Sequence, residues 1–104
     1  MIAKKSEALE KIRAYEAVTA VKDSYSENVR SIKNDFYDTL SRVIVAINPR
    51  EQETMDTVVS LAQVTTHYLS IADEKQYEDD EIKTWFEDMY IILDRVLIDS
   101  RAIV

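Results

Sequence analysis

Glycine is absent from these 104 residues, and proline occurs once, as Pro49. Glycine makes up roughly 7% of an average chain and is the residue that most readily takes positive φ in tight turns. Its absence favours a few long helices with few connections. It also excludes glycine-dependent sites: the P-loop, the dinucleotide-binding fingerprint, the EF-hand loop and the nucleophile elbow of hydrolases.

Cysteine is absent too, which excludes a disulfide framework and cysteine-ligated metal sites. The longest strictly apolar run, residues 43–47, is far too short to cross a bilayer. The first twenty residues alternate lysine with glutamate and have no apolar core, so they do not predict a secretory signal. We expect a single helical domain over residues 1–104 that is cytoplasmic and has no membrane partner.

The net charge of −7 is unevenly distributed. Residues 1–50 carry nine Lys and Arg against seven Asp and Glu, whereas residues 51–104 carry four against thirteen. The first half is therefore slightly basic and the second strongly acidic. The acidic residues between 73 and 88 fit solvated carboxylates that complement a helix dipole, or a docking surface for a basic partner. A divalent-cation site and a mimic of nucleic-acid phosphates are less favoured, because the calcium-loop spacing is absent and the carboxylates gather at one end.

Apolar residues recur at intervals of three and four in three segments, which predicts an all-α fold. We predict an antiparallel bundle of three long helices, over about 2–47, 49–72 and 79–103. The second helix is expected to be central because its apolar arc is wide. It should start with Asn48 as N-cap and Pro49 as its first residue, with Glu51 at the third position. Residues 73–80 are expected to form a loop, and Asp79 or Asp80 to cap the third helix.

The first helix has two alternative forms. Its stripe over residues 18–47 has no clear stop signal, yet Ile12 and Tyr15 lie on an arc rotated by roughly 100° from that stripe. Either the helix is continuous and residues 2–20 project against another chain, or it breaks near 23–24, at a Ser24 capping box, to give a four-helix bundle. The shortage of turn residues favours projection and self-association, with a dimer as the favoured oligomer.

Catalytic, cofactor and metal sites are not predicted. His67 is the only histidine, no carboxylate lies three or four positions from it, and a metal needs three or four ligands. A Ser-His-Asp triad assembles in space, so spacing alone does not exclude one, but nothing in the sequence nominates a nucleophile. We expect a non-enzymatic protein in which His67 is structural or solvated.

Two groups of apolar residues exceed what one core requires. Ile91 and Ile98 lie opposite the core stripe of the third helix, and Ile12 and Tyr15 lie on the offset arc of the first. Such surplus apolar faces are typical of helix-mediated interfaces. We predict that a protein partner contacts these residues and the acidic helix start, namely Ile12, Tyr15, Ile91, Ile98, Asp79, Asp80 and Glu81.

The function expected from these patterns is a small interaction module that self-associates and binds a protein partner, as an inhibitor, immunity factor, accessory subunit or scaffold. The alternative is a helical subunit that contacts nucleic acid through residues 1–50, whose aromatic and basic residues are interleaved. Nucleic acid is the less favoured partner because acidic residues lie close to those basic ones and the aromatic residues follow the core stripes.

Overall fold

The chain folds into four α-helices, which are α1 (Ile2–Val18), α2 (Glu27–Ala46), α3 (Gln52–Lys75) and α4 (Asp79–Ser100). The computed structural model describes residues 2–19 and 27–100, and these two ranges contain no strand. The predicted all-α fold is therefore confirmed. A four-helix bundle fits the arrangement, in agreement with the second of the two forms predicted for the first helix.

The continuous first helix is the part of the prediction that is wrong. A helix over 2–47 would be about 69 Å long at 1.5 Å per residue, whereas the longest dimension of the molecule is 41 Å. Helix α1 ends at Val18, α2 begins at Glu27, and α1 packs against α2 and α3 instead of projecting. The predicted cap at Ser24 lies in 20–26, outside the described residues.

Helices α2 and α3 form the middle of the bundle. Helices α1 and α4 each pack against both of them, and α1 does not touch α4 within the described ranges. The Phe36 ring of α2 lies 5.5 Å from that of Phe86 and 5.2 Å from that of Tyr90, edge-on in both cases. All four helices contribute to the core, whose main residues are Ile12, Phe36, Tyr37, Leu40, Ile44, Val58, Ala62, Ile82, Phe86 and Leu93.

A group of three hydroxyls holds the end of α1 against α2 and α3. The Tyr37 hydroxyl lies 2.6 Å from Thr66 Oγ1 and 3.0 Å from Thr19 Oγ1, and the two threonine oxygens are 2.8 Å apart. Thr19 Oγ1 donates to the Tyr15 carbonyl at 2.6 Å, and Lys33 Nζ donates to the Thr19 carbonyl at 3.1 Å. We call Thr19, Tyr37 and Thr66 the hydroxyl cluster.

The three hydroxyls of the hydroxyl cluster can bond to one another and to the Tyr15 carbonyl, which lies within reach of both Thr19 Oγ1 and Thr66 Oγ1. Three hydroxyls have three protons, and each hydroxyl donates once. The shortest contacts use all three if Tyr37 donates to Thr66, Thr66 to Thr19, and Thr19 to the Tyr15 carbonyl. Because these residues come from three helices, the end of α1 is fixed by tertiary contacts.

Helix α3 begins three residues later than predicted. The Asn48 side chain does accept a hydrogen bond from the Arg50 N–H at 3.0 Å, and the Asn48 carbonyl accepts one from the Glu51 N–H at 2.9 Å. These bonds close a turn rather than a helix, because Glu51 has a non-helical backbone with φ −84° and ψ 64°. The predicted Asn48 cap therefore belongs to the turn that precedes α3, and Gln52 is the first helical residue.

The predicted loop over 73–80 is much shorter in the structure. Helix α3 continues through Lys75, and Gln76 ends it in the left-handed conformation, with φ 57° and ψ 48°. The N–H groups of Gln76 and Tyr77 both donate to the Ala72 carbonyl. The charged residues before Gln76 lack an apolar period because they form the last turn of α3, in which Glu74 and Lys75 are exposed and Asp73 is half-buried.

Helix α4 begins at Asp79, so neither Asp79 nor Asp80 is its cap. The Glu78 carbonyl accepts hydrogen bonds from the Glu81 and Ile82 N–H groups at 3.1 and 3.2 Å, which places Glu78 at the position predicted for an aspartate. Asp79, Asp80 and Glu81 instead lie inside the first turn of the helix.

Candidate protein interaction surface

The apolar arc of α1 is covered by the chain itself. Ile12 has no exposed surface, and Tyr15 is half-buried against the same core. The Tyr15 carbonyl also accepts a hydrogen bond from Thr19 Oγ1 of the hydroxyl cluster. Ile12 is therefore not accessible to a partner in this fold, because α1 packs against α2 and α3 and buries the arc.

The predicted acidic residues lie together at the start of α4. Asp80 and Glu81 are exposed and Asp79 is half-buried, all within the first turn. Carboxylates stabilise this end of a helix because its free N–H groups carry partial positive charge. Their position thus has a structural cause, and it leaves two of them available to a partner.

Ile91 and Ile98 are exposed, as the pattern predicts. Their exposed fractions are 55% and 73%. They share one side of α4 with Asp80, since separations of eleven and seven residues are close to whole numbers of helical turns. We call this side the outer α4 face. It is about 27 Å long at 1.5 Å per residue, and its residues, all exposed, are Asp80, Thr84, Glu87, Ile91, Asp94 and Ile98.

The structure separates the predicted residues into two places. Ile12 and Tyr15 of α1 pack with α2 and α3, while the others lie on α4, which α1 does not touch within the described ranges. The sequence pattern could not separate them, because covering the α1 arc depends on where the chain reverses. The outer α4 face is the candidate surface that remains.

Sequence reasoning missed a second apolar surface, between α3 and α4. Tyr68 and Trp85 stack in parallel there, with ring centroids 4.0 Å apart and planes 2° apart. Val64 and Ile92 are exposed, at 49% and 45%. Val18, where the stripe over residues 18–47 begins, is 72% exposed at the end of α1.

A groove of about 460 Å³ separates the outer edges of α1 and α3. Lys4 and Lys11 line it together with Glu7 and Asp56, so charges of both signs alternate along it. Lys4 Nζ donates to Gln52 Oε1 across the groove at 2.6 Å. The described residues contain no group of three or more His, Asp or Glu side chains that could hold a metal ion, and His67 is exposed on α3.

The basic residues of α1 and α2 are nearly balanced by acidic residues on the same helices. Helix α1 carries four basic and three acidic side chains, and α2 carries three of each. On α2, Arg42 Nε lies 3.0 Å from Asp38 Oδ2. Phe36 and Tyr37 are fully buried and unable to stack on bases. None of these positions favours the nucleic-acid alternative.

No known protein family, curated protein or solved structure matches the chain. Among the described helices, none is both long enough and apolar enough to span a membrane. Any assignment of function therefore rests on the surfaces described above.

Proposed function

We propose that this chain is a non-enzymatic interaction module that binds a protein partner through the outer α4 face. The observation that carries the proposal is the exposure of Ile91 and Ile98 in line with acidic residues on one helix. Single exposed apolar residues are normal on a protein surface. Two isoleucines spaced two turns apart on one face are typical of an anchor pattern for helix recognition.

The charge of α4 indicates the chemistry of the partner. The helix carries seven acidic and two basic side chains, and the acidic ones include Asp80, Glu87 and Asp94 of the outer α4 face. A partner with lysine or arginine beside an apolar surface would complement both features. Opposite charges would steer the encounter and make it sensitive to salt.

The two isoleucines limit how tight this binding can be. Full burial of an isoleucine contributes about 1.5–3 kcal/mol, and both side chains are already partly covered. Together they supply roughly 2–4 kcal/mol, against about 8 kcal/mol for a micromolar complex. Charge contacts must supply much of the rest, which favours a reversible accessory or inhibitory interaction over a permanent complex.

Self-association through the outer α4 face is less favoured than binding of a basic partner. Two copies would bring acidic helices together, and the original reason to expect a dimer, a projecting segment 2–20, does not hold in this structure. If the faces did pair, salt would strengthen the dimer by screening the repulsion. Salt would weaken a complex with a basic partner.

A labelled synthetic helix with a leucine face flanked by lysines provides the test. We expect fluorescence anisotropy to show binding at low salt that weakens as salt rises. The double variant Ile91→Ser/Ile98→Ser should weaken it about tenfold or more, because each substitution removes part of the apolar contact. The matched control is Val45→Ser, which removes an exposed apolar side chain from α2.

Two results would contradict the proposal. One is equal affinity of the wild type and the Ile91→Ser/Ile98→Ser variant for the basic peptide. The other is equal binding of a peptide in which glutamates replace the lysines, since the acidic face would then have no role. Sedimentation of the chain alone, at low and high salt, separates self-association from binding of the peptide.

A further inference from the structure

Helix α1 packs extensively on one surface, which α2 and α3 form together. Of its described apolar side chains, Ala8 and Ile12 are buried, while Leu9 and Tyr15 pack partly against the core. Helix α1 contacts α2 and α3 but not α4 within the described ranges. Helices α2, α3 and α4 also pack on one another in every pair, and α1 takes no part in those contacts.

The surface of α2 and α3 that α1 covers is complementary to the side chains of α1. Ile12 enters the core, and seven residues later, two helical turns away, Thr19 enters the hydroxyl cluster between Tyr37 and Thr66. Near the other end, Lys4 donates to Gln52. A helix that fits this surface must present an apolar side chain and a hydroxyl at that spacing. A second copy of α1 presents both.

The sequence that joins α1 to α2 does not require the chain to reverse. Residues 19–27 contain neither glycine nor proline, and apolar residues continue through Val21 and Tyr25 with helical spacing. The same chain that folds back on itself in this structure is thus compatible, by composition, with a continuous helix. Contacts that do not depend on the joining segment are the same whether α1 comes from one copy or another.

We propose that two copies of this chain exchange α1, so that the α1 of each copy occupies the surface between α2 and α3 of the other. The exchanged dimer keeps the burial of Ile12 and the hydrogen bonds of the hydroxyl cluster. It differs from the monomer in the joining segment and in the association step. Protein concentration therefore sets the balance between the two forms. This proposal is independent of the outer α4 face.

The contact between Lys4 and Gln52 makes the exchange measurable. The chain contains no cysteine, so single cysteines placed at these two positions are the only thiols. Lys4→Cys is made in one sample and Gln52→Cys in a second, and the two are unfolded in urea, mixed and refolded together. A short bismaleimide then links the two chains only where the α1 of one lies on the α3 of the other.

We expect a covalent heterodimer whose yield rises with the protein concentration during refolding. The control pairs Gln52→Cys with Ser6→Cys, which places the thiol at an exposed position two residues along α1, where it should give little product. Helix-favouring Asp23→Ala/Ser24→Ala should raise the yield, and Asp23→Gly/Ser24→Gly should lower it. The equilibrium constant for exchange should differ between the alanine and the glycine variants by about thirtyfold per chain, because each glycine disfavours a helix by about 1 kcal/mol relative to alanine.

Each other result overturns the proposal. No linked heterodimer above the Ser6 control at any concentration would show that α1 stays with its own chain. A dimer seen by light scattering, but not linked through Lys4→Cys and Gln52→Cys, would show association without exchange. If such a dimer disappears in the Ile91→Ser/Ile98→Ser variant, it forms through the outer α4 face instead.

Discussion

Replacing Tyr37 by phenylalanine should destabilise the fold because one hydrogen bond is lost. The ring is fully buried and remains in place, while the variant loses the hydroxyl that lies 2.6 Å from Thr66 Oγ1. Thr66 and Thr19 keep their own protons and can still donate to Thr19 and to the Tyr15 carbonyl. The variant thus loses one donor without leaving a buried donor unpaired, at a cost of about 1 kcal/mol. That corresponds to a fall in Tm of roughly 4–8 °C.

The same substitution should change how stability depends on pH. Burial raises the pKa of the Tyr37 phenol, the Thr19 and Thr66 hydroxyls lower it by hydrogen bonding, and Glu16 raises it further, with burial the largest effect. The folded chain therefore holds this proton more tightly than the unfolded chain, whose phenol titrates near pH 10. The stabilisation is complete below that pH and is lost as pH rises through the folded-state pKa.

Urea unfolding followed by circular dichroism at pH 7 and above pH 10 measures both effects. We expect the wild type to be more stable than Tyr37→Phe at pH 7, and the difference to shrink above pH 10 because only the wild type must keep Tyr37 protonated. Tyr90→Phe, which removes a hydroxyl outside the cluster, is the matched control. A constant or growing difference between Tyr37→Phe and the wild type above pH 10 would refute the reasoning.

Two further predictions concern the turn after α3 and the core. Gln76→Gly should stabilise the fold by about 0.5–1 kcal/mol in urea unfolding, because Gln76 has a left-handed backbone, with φ 57°. The control Glu74→Gly, inside the helix, should destabilise the fold by about 1 kcal/mol. A loss of stability in Gln76→Gly would contradict the left-handed conformation at residue 76. Phe36→Ala should cost about 3–5 kcal/mol by removing the edge-on contacts with Phe86 and Tyr90; a calorimetric loss below 1 kcal/mol would show that the core collapses around the gap.

The periodic stripes predicted the middle of the fold well. Val29, Phe36, Leu40 and Val43, spaced at helical intervals, are all buried in α2. Periodicity works there because α2 packs against all three other helices, so its apolar side is covered. It predicted the helix ends poorly, since these depend on backbone bonds such as the turn closed by Asn48.

The exposed residues of the candidate surface could be predicted from the sequence only where their exposure does not depend on how the helices fold against one another. Ile91 and Ile98 lie opposite the core stripe of α4, so the wheel alone places them outside. Whether Ile12 is exposed depends on whether α1 folds back, and the residues that hold it there are far apart in sequence: Thr19 is 18 positions from Tyr37 and 47 from Thr66. No local pattern contains that information.

The described connections between the helices are held by local devices. Between α2 and α3 the connection uses the Asn48 side chain and the fixed φ of Pro49, and between α3 and α4 it uses the left-handed Gln76. Both devices are local, so they act even before the helices pack. The described end of α1 has instead the hydroxyl cluster, whose partners belong to other helices. Because these contacts join the end of α1 to α2 and α3, a second copy of the chain can supply them equally well, and this is the property on which the proposed exchange of α1 depends.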